Sequence, residues 1–90
     1  MKKPRRLDRL AYKAIGNETI ILDTKINKEV HQLNEVASFV WNLCDGEHDF
    51  DSIVREVYKE FEVEENCASL DVQLLIAELS NKSLLVDNNG

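Results

Sequence analysis

Two cysteines and two histidines are the residues of this chain best suited to bind a metal or to attack a substrate. Zinc prefers thiolate and imidazole ligands. A four-ligand zinc site would need all of these residues: Cys44, Cys67, His31 and His48. Cys44 and His48 lie four residues apart, but the turn-forming Asp45-Gly46 separates them, and Cys67 has no other ligand nearby in sequence. We therefore expect two small buried thiols, two ordinary histidines and no disulfide.

Sequence signatures of catalysis are also missing. There is no glycine-rich phosphate-binding loop, no GxSxG nucleophile elbow and no histidine-containing metal motif. Carboxylates are plentiful, but a run such as Glu62-Glu64-Glu65 is typical of a solvated face. His31 is predicted to pack at the margin of a sheet rather than to catalyse, and Trp41 to pack or to contact a protein. The sequence predicts a protein that is not an enzyme and has no metal or cofactor.

The charges divide sharply along the chain. The 90 residues have a net charge of −6, yet residues 1–13 hold six basic side chains that only Asp8 opposes. Residues 14–90 hold five basic and sixteen acidic side chains, a net of −11. Phosphate neutralisation supplies most of the affinity for nucleic acid, so we expect no nucleic-acid binding by this body. The basic arm is interpreted as a disordered, solubilising tail, with a role in binding as the alternative.

A chain of 90 residues is long enough for one small domain but too short to form a second hydrophobic core. We divide the chain into a basic tail at residues 1–10, a single domain at 11–87 and a short tail at 88–90. A domain of this size buries only roughly 60–65% of its unfolded surface, which favours a surface groove over a roomy internal site. No apolar run approaches the roughly 20 residues that cross a bilayer, and the N-terminus lacks a secretory signal. We expect a cytoplasmic protein with no membrane association.

Alternating hydrophobicity predicts three strands in the first half of the chain. Tyr12–Ile15 and Thr19–Asp23 flank Gly16-Asn17, a dipeptide suited to a hairpin turn. A loop then returns the chain, with Asn27 expected in the left-handed conformation, and Glu29–Leu33 follows as the third strand. These segments predict an antiparallel meander.

A change of hydrophobic period at Asn34 marks the start of the first helix, because apolar residues recur at helical spacing after it. The Asn34 side chain can accept a hydrogen bond from the first turn, and Gly46 tolerates the conformation common at a helix end. We predict a helix over Glu35–Leu43. Its apolar stripe consists of Val36, Phe39, Val40 and Leu43.

Two more helices are predicted, one starting after the N-cap candidate Asp49 and one spanning about Cys67–Lys82. Leu84–Val86 can then close over the core. Strands followed by helices on a short chain indicate an α+β domain, and three helices with a small sheet also match winged-helix architecture.

The third helix carries more apolar surface than a peripheral helix needs. Its core stripe consists of Ala68, Val72, Leu75, Ile76 and Leu79. Its second stripe, nearly opposite, consists of Leu70, Leu74 and Ala77. Either Leu84–Val86 or the N-terminal strands cover the second stripe, or it borders a hydrophobic groove beside the third strand. Asp71 and Glu78 outnumber Lys82 on this helix, which argues against its insertion into a DNA groove.

The order of several segments resembles the PqqD family of peptide chaperones. The similar segments are IILDT, HQLNEVASFVWNLCDG, the Asp49-capped helix and LDVQLLIAELSNKSLL, which span about Ile20–Leu85. They also resemble the wider group of RiPP recognition elements, RiPPs being ribosomally made and post-translationally modified peptides. Asn27 and Ser83 stand where many relatives carry glycine, and both positions concern turns.

The resemblance implies a small domain that binds the leader segment of a precursor peptide and presents it to a modifying enzyme. In PqqD that enzyme is a radical-SAM protein of pyrroloquinoline quinone (PQQ) biosynthesis, and relatives serve lasso-peptide proteases and other maturases. The leader is expected to add as a strand beside the third strand and to contact the third helix. The expected peptide-binding residues are Glu29, Val30, His31, Gln32, Leu33, Leu70, Asp71, Leu74, Leu75 and Glu78.

Each group of these residues has an expected role. Glu29–Leu33 would supply backbone hydrogen bonds. Leu70, Leu74 and Leu75 would take apolar leader side chains, and Asp71 and Glu78 would meet basic ones. Two alternatives remain at this point. A winged-helix transcription regulator would need a basic third helix, and a homodimerisation module would close the groove on a second copy.

Overall fold

The computed structural model describes residues 3–7, 10–23 and 29–88. The elements in chain order are β1 (Lys3–Arg6), β2 (Ala11–Ile15), β3 (Glu18–Asp23), β4 (Glu29–Leu33), α1 (Glu35–Leu43), α2 (Phe50–Phe61), α3 (Glu65–Asn81) and β5 (Leu85–Asn88). Strands β2, β3 and β4 form one antiparallel sheet, and β1 pairs with β5 in another. The predicted α+β domain, with a three-stranded meander followed by three helices, is confirmed. In the described part of the chain, no helix has the length and apolar character needed to cross a bilayer.

The meander positions β4, the predicted third strand, at one edge of its sheet. Gly16 has φ +63, which lets a two-residue turn join β2 to β3. Alternate side chains of β3 are buried against the helices, whereas Leu22 on the outer face is 41% exposed. The buried ones are Thr19, Ile21 and Asp23. The turn predicted at Asn27 lies outside the described residues.

Helix α1 has the predicted bounds, but its core face differs from the predicted stripe. Asn34 Oδ1 accepts a hydrogen bond from the Ala37 N–H (2.9 Å), which confirms the N-cap. Of the predicted stripe only Val40 is buried, and the other three residues are half-buried. The core face consists of Ala37, Val40, Trp41 and Cys44. Of the predicted stripe, Phe39, Val40 and Leu43 do pack in or against the core, but the prediction missed Ala37 and Trp41, because α1 packs against the sheet and against α2 and α3 and several of its sides meet apolar neighbours.

The prediction that the basic arm is a disordered tail is wrong for Lys3–Arg6, which forms strand β1. Lys3–Arg6 pairs antiparallel with Leu85–Asn88, near the other end of the described chain. The Gly46 N–H donates to Pro4 O (3.0 Å), which ties β1 to the segment after α1 as well. Four residues of the arm thus belong to the folded domain.

Arg6 shows why this part of the arm is ordered. Helix α1 has no basic residue in its last turn, and of its final carbonyl groups Trp41 O accepts from the Cys44 N–H (3.1 Å). Arg6 Nη1 donates to Trp41 O (2.7 Å) and to Asn42 O (3.0 Å). Its guanidinium group also lies 5.7 Å from the ring centre of Tyr12 and 5.9 Å from that of Trp41. One side chain of β1 therefore caps α1.

Helix α3 ends in a Schellman motif that turns the chain back onto the core. The Ser83 N–H donates to Ser80 O and the Leu84 N–H to Leu79 O, each at 3.0 Å. The turn requires a positive φ, and Ser83 adopts +61. Leu84 is fully buried, so the segment Leu84–Val86 closes over the core as predicted.

Candidate peptide-binding groove

Strand β4 has one edge without a strand partner among the described residues, since it pairs only with β3. The register shows which backbone groups point to that edge. A two-residue hairpin loop is closed by a hydrogen-bonded pair, here Ile15 and Glu18, so alternate residues of β3 direct their N–H and C=O groups towards β4. Their partners on β4 are Glu29, His31 and Leu33. Val30 and Gln32 therefore direct their backbone groups outward.

Two adjoining depressions run along α3, the first facing β4 and the second facing the start of α1, and together they are called the β4–α3 groove. The first has a volume of about 130 Å³ and the second about 320 Å³. Asn34 and Leu75 line both depressions, which makes the groove continuous. The lining residues are His31, Gln32, Leu33, Asn34, Val36, Ala37, Asp71, Leu74, Leu75, Glu78, Leu79, Lys82 and Leu84.

Seven of the ten residues predicted to bind peptide line this groove. They are His31, Gln32, Leu33, Asp71, Leu74, Leu75 and Glu78. The other three line neither depression: Glu29 is exposed, Val30 is 65% exposed on the outer face of the sheet, and Leu70 is 55% exposed one turn before Leu74. Two lining residues that were not predicted could have been found from the sequence. Lys82 lies four residues after Glu78, the spacing of an ion pair on a helix, and Leu84 follows directly on the turn at Ser83.

The second apolar stripe of α3 is exposed at its two leucines. Leu74 is 59% exposed, while Val72 and Leu79 on the core side are buried. The interpretation that Leu84–Val86 or the N-terminal strands cover this stripe is therefore wrong for Leu70 and Leu74. The exposed Leu74 gives the second depression of the groove an apolar border.

Acidic side chains stand along the α3 side of the groove. Glu78 Oε1 accepts from Lys82 Nζ at 3.0 Å, one helical turn away, so its charge is largely neutralised. Asp71 is exposed and makes no ion pair with any described residue. The net negative charge of the groove therefore comes from Asp71, and it favours a basic group on a ligand.

The four residues considered as zinc ligands, Cys44, Cys67, His31 and His48, do not form a metal site. Within residues 3–7, 10–23 and 29–88, no three His, Cys, Asp or Glu side chains are placed to hold a metal ion. Burial raises the pKa of the Cys44 thiol to about 12, although the nearby Arg6 charge opposes the shift. Cys67 is exposed, which corrects the prediction of two buried thiols, because it lies on the outer side of the first turn of α3.

Residues 18–85 match the family described as Coenzyme PQQ synthesis protein D (PqqD). The protein belongs to the PqqD family. The matched segment runs from the start of β3 to the start of β5 and thus includes both walls of the groove. No curated protein matches the sequence.

Solved structures share the fold of this PqqD-family protein. TbiB1 in complex with the TbiA(β) leader peptide has a TM-score of 0.81 and 23% identity, covering 90% of this chain and 93% of that one. Lasso peptide synthetase B1 complexed with the leader peptide has a TM-score of 0.81 and 20% identity, with coverages of 93% and 98%. The heterocyclase TruD has a TM-score of 0.69 and 15% identity over 97% of this chain and 12% of its own.

Proposed function

We propose that this PqqD-family protein binds the leader segment of a ribosomal precursor peptide and presents it to a modifying enzyme, without catalysing a reaction itself. The modifying enzyme would be a radical-SAM maturase or a leader protease of a RiPP or PQQ pathway. The proposal rests on the observation that the edge of β4, which has no strand partner among the described residues, and the exposed Leu74 border two adjoining depressions. The two relatives with a TM-score of 0.81 each hold a leader peptide, which supports the proposal.

The backbone of β4 accounts for how an extended peptide is held. Val30 and Gln32 each offer one N–H and one C=O at the edge of the sheet. A peptide that lies beside β4 as a further strand satisfies these groups, and this kind of contact does not depend on the peptide sequence. The strand edge therefore provides affinity, and selectivity is left to the side chains.

Side chains of the groove account for which peptides are preferred. Alternate residues of an added strand point to the same face of the sheet as Leu33, and so enter the groove. There an apolar leader residue is buried against Leu74 and Leu75, at about 25 cal/mol for each Å² removed from water. A basic leader residue is attracted by Asp71. The preferred leader thus combines extended, apolar and basic character.

The two alternative functions have less support. A winged-helix regulator needs basic side chains on the helix that enters DNA, but the exposed charged residues in the middle of α3 include Asp71 and Glu78. A homodimerisation module would occupy the same groove with a second copy, and size-exclusion chromatography with and without peptide separates that case.

Titration of a synthetic peptide tests the proposal, with its sequence taken from a precursor found near the gene or from a random library selected on the wild-type protein. Leu74→Asp places a charge in the groove and should weaken binding about tenfold or more, through lost burial and desolvation. Gln73→Asp is the matched control, because it adds the same charge at an exposed neighbouring position that lines neither depression. Circular dichroism checks the folding of both variants. Equal affinity of a folded Leu74→Asp variant and the wild type would contradict the proposal.

A further inference from the structure

His31 carries a polar atom that the fold itself leaves without a hydrogen bond. The side chain is only 9% exposed and lines the first depression of the β4–α3 groove. Its Nε2 is buried and has no hydrogen-bond partner among the described residues. The Glu29 carboxylate lies 3.6 Å from this atom, which is within ion-pair range but beyond hydrogen-bond distance. Buried polar groups are nearly always paired in folded proteins, so this nitrogen calls for a partner.

The strand register places a ligand side chain next to this nitrogen. Val30 and Gln32 point their backbone groups outward, so a peptide strand that pairs with them has one residue directly opposite His31. Residues opposite each other in neighbouring strands share a face of the sheet, and in a non-hydrogen-bonded antiparallel pair their Cα atoms are about 4.5 Å apart. The peptide residue opposite His31 therefore sends its side chain into the first depression.

The surroundings of the depression select the chemistry of that side chain. The Glu29 carboxylate lies 3.6 Å from His31 Nε2 and repels a peptide carboxylate, while the Glu78–Lys82 ion pair that lines the depression adds no net charge. A peptide ammonium group would lose its hydration among Leu75, Leu79 and Leu84. A carboxamide brings a second polar group that would also need a partner. A hydroxyl both donates and accepts, so it satisfies either tautomer of the imidazole.

We propose that His31 is a specificity-determining residue whose Nε2 hydrogen-bonds a hydroxyl-bearing side chain of the bound peptide. The inference rests on the proposed peptide binding and adds the class of residue read at one position. His31 thereby discriminates between leaders that the β4 backbone alone would bind alike.

A double-mutant cycle tests this contact. The probe is a peptide selected on the wild-type protein from a phage-displayed library of random sequences and then synthesised with and without the hydroxyl, as serine or alanine, threonine or valine, tyrosine or phenylalanine. Removing the hydroxyl should weaken binding to the wild type about threefold to tenfold, as expected for one neutral hydrogen bond. With His31→Leu the two peptides should bind equally, and with His31→Gln, which keeps a polar tip, the difference should return. His48→Gln is the control for loss of a histidine, since His48 Nδ1 lies 3.1 Å from the Asp45 carboxylate and lines no part of the groove.

A nitrogen NMR measurement on the unmodified protein gives an answer that does not depend on the folding of any variant. The sequence has two histidines, so the imidazole spectrum contains two ring systems. Binding of the hydroxyl peptide should shift the His31 nitrogen signals and leave those of His48 unchanged. Unshifted His31 signals, or equal losses from hydroxyl removal in wild type and His31→Leu, would overturn the inference while peptide binding that depends on Leu74 still stands. Failure to select any peptide whose binding Leu74→Asp weakens would overturn the proposed function, and this inference with it.

Discussion

Replacement of Arg6 by alanine should destabilise the whole domain, although the residue lies in an N-terminal arm with the composition of a tail. Its guanidinium group donates to two carbonyl groups at the end of α1 and lies over two aromatic rings. Helix α1 in turn supplies four fully or nearly fully buried residues to the core. Loss of the Arg6 side chain therefore removes a second donor to Trp41 O and the donor to Asn42 O, and leaves the end of α1 with the Cys44 N–H bond alone.

The expected loss follows from these contacts. The bond to Trp41 O is partly buried and involves a charged donor, so we count about 1.5 kcal/mol for it and little for the exposed bond to Asn42 O. A cation at a helix C-terminus adds about 0.5 kcal/mol, and the cation–π contacts add about 0.5 kcal/mol. The total of about 2.5 kcal/mol is a large share of the roughly 5–15 kcal/mol by which small domains are stable. It should lower the melting temperature by roughly 10–20 °C.

Urea denaturation followed by circular dichroism measures this free energy of unfolding. Arg6→Lys keeps the charge but loses the planar fork, and it should fall between Arg6→Ala and the wild type. Lys13→Ala is the matched control, because it removes an exposed cation from β2 and should change stability by less than about 0.5 kcal/mol. An Arg6→Ala variant as stable as Lys13→Ala would refute the capping role and favour the tail interpretation.

Four further experiments address the groove edge, the two thiols and the turn after α3. Gln32→Pro removes an N–H that points away from β3 and should weaken leader binding about fivefold to tenfold in calorimetric titration. Gln32→Ala keeps this N–H and removes a side chain that bonds to Glu18, so it should weaken binding less than Gln32→Pro does. A thiol reagent should modify Cys67 in the native protein and Cys44 only after unfolding. The pKa of the Cys44 thiol is about 12 in the folded state and 9.0 in the unfolded state. The stabilisation that the bound proton gives is therefore complete below pH 9.0 and is lost as the pH rises towards 12. A Cys44→Ala variant should not show this loss when urea midpoints are compared across that pH range. Ser83→Gly relieves a positive φ and should raise the free energy of unfolding by about 0.5–1 kcal/mol, while Ser83→Ala should leave it within about 0.5 kcal/mol.

Elements whose signals are local in sequence were predicted closely. Strand β4 and helix α1 have the predicted bounds because the change of hydrophobic period and the Asn34 cap lie within a few residues of each other. Strand β1 was missed because its sequence, KPRR, has no alternation, and its partner Leu85–Asn88 lies near the other end of the chain. The interactions that order it, above all those of Arg6, exist only after α1 has formed.

The apolar residues of α3 that border the groove could be predicted from the sequence, but its first depression could not. The spacing of Leu70 and Leu74 identified a second apolar stripe, and the structure shows both residues exposed. The first depression depends on Leu84, which reaches the groove only because Ser83 adopts a left-handed conformation. Hydrophobic periodicity carries no information about a single residue of positive φ, so the position of His31 above a depression could not be deduced from it.

The pairing of β1 with β5 has a consequence for how the domain can be carried by other proteins. Lys3 and Asn88 are cross-strand neighbours, so the two ends of the described chain leave the domain side by side, with Cα atoms about 5 Å apart. A larger protein can therefore hold the whole domain within one of its surface loops, and a circular permutant can join the ends with a short linker, without disturbing the groove. TruD, in which a similar fold occupies only 12% of the chain, shows that this architecture occurs inside a much longer polypeptide.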